Sequence, residues 1–131
     1  MPNSAPHPPG SSSTRSRSAR LLQAAFVAAV LLQLAALYVP QTPDGAPSPP
    51  GSDKALHVLI FALVMLTGRL ARYPSIPLAI GLAAHAGISE LIQHLLLPAR
   101  SGDLLDVVAD LAGIAVGWYV ASMITRHRLR R

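Results

Sequence analysis

Four long apolar stretches, separated by proline-bearing breaks, dominate this chain and restrict it to folds that meet lipid. The first is Leu21–Val39. Gln23, Gln33 and Tyr38 are its only polar members, and Pro40 ends it. At about 1.5 Å per helical residue it covers about 28 Å, against a bilayer core of about 30 Å. The second runs from Lys54 to Arg72, and its apolar part, Ala55–Gly68, is short and contains His57. Alone it is a weak span; between two clearer ones it reads as another. The third, Ile76–Leu97, carries His85, Ser89, Glu90, Gln93 and His94 and stops at Pro98. The fourth runs from Leu104 to about 125, with Asp106 and Asp110 inside it.

Composition agrees. Charged residues make up 13% of the 131-residue chain, where soluble domains carry about 25%. With no cysteine, disulfide frameworks, thiolate nucleophiles and cysteine metal sites are excluded. Residues 1–19, rich in Pro, Ser and Gly, have little to bury and are expected to form a disordered tail. The first apolar run exceeds a signal peptide's usual apolar core of roughly 7–15 residues, and no clear small-x-small cleavage site follows, so it reads as an uncleaved helix. A membrane domain over 20–125 is expected, with spans at about 21–39, 54–72, 76–97 and 104–125. Residues 126–131 form a basic tail.

Charge sets the expected orientation. With the N terminus inside and four spans, Arg15, Arg17, Arg20, Arg69, Arg72, Arg126, Arg128, Arg130 and Arg131 face the cytoplasm, and only Lys54 and Arg100 lie opposite. That asymmetry follows the positive-inside rule. The expected fold is thus an all-α membrane protein: four transmembrane helices in an antiparallel up-down bundle, with N and C termini cytoplasmic. The basic tails lack interleaved aromatics and suit anionic inner-leaflet lipid rather than nucleic acid.

The acids are lopsided too. Asp44, Asp53, Glu90, Asp103, Asp106 and Asp110 all fall in outer loops or outer halves of helices. Counted from the outer helix ends, His57, Gln93 and Asp106 lie about 4–6 Å down, and Glu90 and Asp110 about 10 Å down. Asp53 and His57 are i,i+4; Glu90, Gln93 and His94 are i,i+3,i+4; Asp103, Asp106, Asp110, Gly113 and Gly117 fall on one face of the fourth helix. An ionised acid at the bilayer centre costs about 2.5–3.5 kcal/mol on the insertion scale, so Glu90 and Asp110 are expected to face one another, His57, or water entering from outside. Gly113 and Gly117 form a small-xxx-small face that permits close helix packing. Asp53 and Asp103 are placed to cap helices, and Gln93 to bond between helices. His85 and His94 carry no pattern.

Taken together, Asp53-Lys54-x-x-His57-x-x-x-Phe61, then Glu90-x-x-Gln93, then Pro98-x-Arg100-x-Gly102-Asp103-x-x-Asp106-x-x-x-Asp110-x-x-Gly113-x-x-x-Gly117, resemble the VanZ-like family over roughly residues 21–125. That family usually has Asn where this chain has Asp110. The resemblance implies a multi-pass protein of the bacterial plasma membrane. The family's founding member is linked to teicoplanin resistance, which makes a link to glycopeptide resistance one expectation for the cell envelope.

Three functions fit the residues. In a non-catalytic envelope protein, the cluster is an outward-facing polar pocket for a lipid or drug headgroup or a partner. In a membrane enzyme acting on a lipid-linked envelope substrate, Glu90 or Asp110 serves as acid or base, with His57 as proton carrier, Asp106 beside them, and Lys54, Gln93 and Arg100 on the substrate. In a proton or ion transporter the same acids mark the path, but nothing ionisable continues inward. The first claims least and is preferred. The His/Asp/Glu set offers donors for a divalent metal, but it lacks the tight spacing of familiar sites, so neither metal nor cofactor is expected. The expected partners are the bilayer and an anionic lipid headgroup or lipid-linked precursor. A unit this small is also a candidate for homo-oligomer formation.

Overall fold

The computed structural model describes residues 11–38, 49, 51–96 and 104–130. It is all-helical, with α1 at Ser11–Tyr38, α2 at Ser52–Leu70, α3 at Ser75–Leu96 and α4 at Leu104–Leu129. Among the described residues, three segments are long and apolar enough to cross a membrane: Ser16–Tyr38, Ser75–Leu96 and Leu104–Leu129. The second helix is not among them. Every membrane-length window in it carries Asp53, Lys54 and Arg69.

Helix boundaries depart from expectation in four places. Helix α1 starts at Ser11, inside the stretch that composition assigned to a disordered tail. Helix α2 starts at Ser52, two residues before the expected Lys54, and its N-cap is Gly51 at φ 82° with no side-chain cap hydrogen bond. Asp53 therefore sits in the first turn and is not a cap, a correction to the sequence reading. There its carboxylate still complements the positive end of the helix. Helix α2 also ends two residues early. Arg72 takes a left-handed φ of 70°, with Arg72 N–H donating to Arg69 O and Tyr73 N–H to Gly68 O. This is the Schellman arrangement, in which glycine is usual at the left-handed position. Finally, α4 runs on through Arg126, His127 and Arg128, so most of the expected basic tail is its last turn, with cations at the negative end of the helix dipole.

Helices α2 and α4 form the closest pair, and they run parallel. The residues hydrogen-bonded between them, from Lys54–Asp106 to Arg69–Ser122, keep sequence separations of 49, 52 or 53 along their whole length. A Cβ at Gly113 would collide with the Val58 carbonyl oxygen, and one at Gly117 with that of Ala62. The two glycines thus let one backbone lie against the other. Around this pair α1 and α3 run the opposite way. The Gln93 side-chain amide donates to Leu37 O (3.2 Å), and Tyr38 Oη lies 3.2 Å from His85 Nε2, so the C-terminal ends of α1 and α3 meet. Phe26 and Tyr73, with ring centroids 4.6 Å apart, pack near the other end.

The distribution of side chains is inverted relative to a soluble protein. Gln33, His57, Ser89, Glu90, Gln93, Asp106 and Asp110 are buried, while Leu21, Leu31, Ile80, Leu91, Val108 and Val116 are exposed. Soluble folds do the reverse. An apolar core, built on Phe61, Val64, Met65, Leu82 and Ala86, fills the middle of the bundle. Together these are the features of a membrane protein.

Candidate functional site

The polar cluster forms where the N-terminal turns of α2 and α4 meet the C-terminal half of α3. Helical periodicity brings it about. His57 heads the buried stripe of α2 that continues through Ile60, Phe61, Val64 and Met65. Asp106 and Asp110 lie on the buried α4 stripe with Gly113 and Gly117. Ser89, Glu90 and Gln93 lie on the inner face of α3. Each acid or imidazole is thus carried inward by apolar or small residues one or two turns away on its own face.

His57 is the hub. Its Nδ1 is hydrogen-bonded to Asp110 Oδ1 over 2.9 Å, and the same nitrogen lies 4.0 Å from Glu90 Oε1. Asp110 is fully buried, His57 3% exposed and Glu90 7% exposed. The second oxygen of Asp110, Oδ2, is buried with no hydrogen-bond partner. One turn nearer the helix ends, the Lys54 ammonium donates to Asp106 Oδ1 over 3.1 Å, with the lysine side chain 40% exposed and the aspartate side chain 4%. The cluster is therefore layered, with a half-exposed cation held by a buried acid outside and a closed imidazole–carboxylate group inside.

Two sets of donor atoms converge within 4.8 Å of one another: those of Asp53, His57 and Asp106, and those of His57, Glu90 and Asp110, the second set wholly buried. The fold thus brings Lys54, His57, Glu90, Asp106 and Asp110 together. Gln93 is buried beside them but spends its amide on the carbonyl of Leu37, one of the carbonyls a helix end leaves unpaired. Arg100 and Asp103 lie outside the described residues. Ser89, also buried, donates to Ala86 O within its own helix.

A second polar group at the opposite end was not anticipated. Arg69 Nε donates to Ser75 Oγ (2.9 Å), and Nη1 donates to Trp118 O (2.6 Å) and to Ser122 Oγ. The guanidinium also sits 4.7 Å from the Trp118 ring centroid. In the sequence Arg69 counts only as one inner-side charge. An arginine one helical turn from an exit turn, facing a Trp-x-x-x-Ser on another helix, was the available signal.

Comparisons with protein-family models, with curated proteins and with solved structures return no match.

Proposed function

We propose that this chain is a four-span plasma-membrane protein of VanZ-like type. In this reading it is non-catalytic and uses the outer layer of its polar cluster to bind an anionic headgroup at the face away from the cytoplasm. The observation that carries the reading is the Lys54–Asp106 pair: a cation 40% exposed, anchored at 3.1 Å by an acid that is 4% exposed. A buried carboxylate fixes the ammonium at the rim, where a phosphate or carboxylate oxygen can reach it. The apolar exteriors of Leu104, Leu105 and Val108 around it suit acyl chains.

Four spans are supported by the packing of α2. It lies against α4 backbone to backbone, its His57 is covered from α3 and α4, and its Arg69 is satisfied from α3 and α4. A helix whose charges are neutralised by neighbours can cross a bilayer that it would not enter alone. The excess of arginine at the other end supports cytoplasmic termini.

The test is lipid co-purification. Full-length protein should retain phosphatidylglycerol over phosphatidylcholine, and Lys54→Gln should lose the preference while remaining folded. Equal retention of the two lipids by the unaltered protein contradicts the reading.

A membrane enzyme is the second reading. It is favoured by the 2.9 Å His57–Asp110 bond, the geometry in which a carboxylate orients a general base. Turnover of a lipid-linked precursor, lost in His57→Gln with headgroup retention intact, would establish it.

A further inference from the structure

We infer that His57, Glu90 and Asp110 form a binding site for one divalent transition-metal ion, of the zinc or manganese class. Three helices deliver one imidazole nitrogen and two carboxylates to a single buried point, with donor atoms within 4.8 Å of one another. His57 Nδ1 is 2.9 Å from Asp110 Oδ1 and 4.0 Å from Glu90 Oε1, spacings that small side-chain shifts convert into the edges of a coordination polyhedron with bonds of about 2.0–2.2 Å.

An independent observation points to a ligand. Asp110 Oδ2 is buried without a hydrogen-bond partner on a residue with no exposed surface. Its sibling oxygen on the same carboxyl group is the one bonded to His57, so a turn of that group exchanges the two oxygens at the shared point. A buried acceptor left unpaired is costly, and a cation satisfies it outright. Charge points the same way. Among the described residues the cluster holds Asp53, Glu90, Asp106 and Asp110 against Lys54 and His57.

The alternative donor set of Asp53, His57 and Asp106 is the poorer choice, because the Lys54 ammonium already sits on Asp106 and repels a second cation. An imidazole among the donors favours zinc, manganese or iron over magnesium and calcium, and three protein donors fall short of the six to eight oxygens calcium takes. Three ligands leave a coordination position for water. Binding through Nδ1 requires a neutral imidazole with its proton on Nε2: from the neutral ring the proton moves from Nδ1 to Nε2, and from the imidazolium the Nδ1 proton is released. This site goes beyond headgroup binding at Lys54, and the two fail separately.

The experiment uses full-length protein in nanodiscs of zwitterionic lipid, stripped with chelator and then equilibrated with Zn2+ or Mn2+. Elemental analysis should find one ion per chain, and the melting temperature should rise with metal and fall back with chelator. Glu90→Gln and Asp110→Asn should each weaken retention by about tenfold or more, while His127→Ala and His94→Ala leave it unchanged. If the variants do not fold, Co2+ added to the unaltered protein still decides, since its visible absorption bands report a low-coordinate N/O site. Absence of stoichiometric metal, absence of those bands, or retention that survives both carboxylate substitutions overturns the inference. Loss of anionic-lipid preference alone, as in Lys54→Gln, leaves the ion in place.

Discussion

At the scale of single residues, the His57–Asp110 bond decides most. Both groups are buried, and removing one partner of a buried pair leaves the other uncompensated, at a cost of about 3–5 kcal/mol. His57→Ala should therefore lower thermal stability sharply in detergent. Asp110→Asn keeps an acceptor for the imidazole N–H and should cost much less. A melting series on the two variants checks the order. Arg69 is the counterpart at the other end. Lysine keeps its charge but not the planar fork that reaches Ser75, Trp118 and Ser122 together. Arg69→Lys should cost about 1.5–3 kcal/mol, in the range of hydrogen bonds to charged groups, measured by chemical denaturation in micelles. The inner cluster was legible in the sequence because i,i+3 and i,i+4 spacing is enough to put Asp106 and Asp110, or Glu90 and Gln93, on one face. Arg69 was not, because its partners are a carbonyl and two serines, groups whose spacing carries no charge pattern.

At the scale of helices, glycine and handedness set the outcome. A side chain at Gly113 or Gly117 meets a carbonyl oxygen of α2, part of a helix backbone that cannot swing aside as a side-chain end does. Gly113→Leu and Gly117→Leu should each separate α2 from α4 and destabilise by at least about 1–3 kcal/mol, the usual range for overpacking. Loss of folded protein on size-exclusion is the readout. Arg72 presents the opposite case. It holds a left-handed conformation that costs a non-glycine residue about 1–2 kcal/mol, so Arg72→Gly should raise the melting temperature. Prolines at 40, 74 and 98 made the breaks between helices legible. The helix ends were less so. The reach of α1 back to Ser11 and of α4 to Leu129 rests on stretches whose serines and arginines read locally as solvated tail, although a helix already started by an apolar span extends at little further cost. A small-xxx-small face announces a close neighbour without saying which, so the parallel pairing of α2 with α4 had no signature in α4 alone.

At the scale of the whole molecule, the governing fact is inversion: acids, amides and imidazole inside, leucine and isoleucine outside. Low charge content and apolar run length made this legible from the sequence. The standing of α2 is the point on which the molecule turns. Among the described residues, three helices qualify as spans by length and apolarity. The fourth carries Asp53, Lys54 and His57 at one end and Arg69 at the other, and Lys54, His57 and Arg69 are engaged with residues of α3 or α4. If α2 crosses, the polar cluster lies at one face of the bilayer and the Arg69 group at the other. Residues Ser52 and Ser75, which bracket α2, then sit on opposite sides. The chain has no cysteine, so single cysteines can be placed without background. In intact cells an impermeant maleimide should label Ser52→Cys, while Ser75→Cys reacts only after the membrane is opened. Labelling of both from the same side would contradict the account.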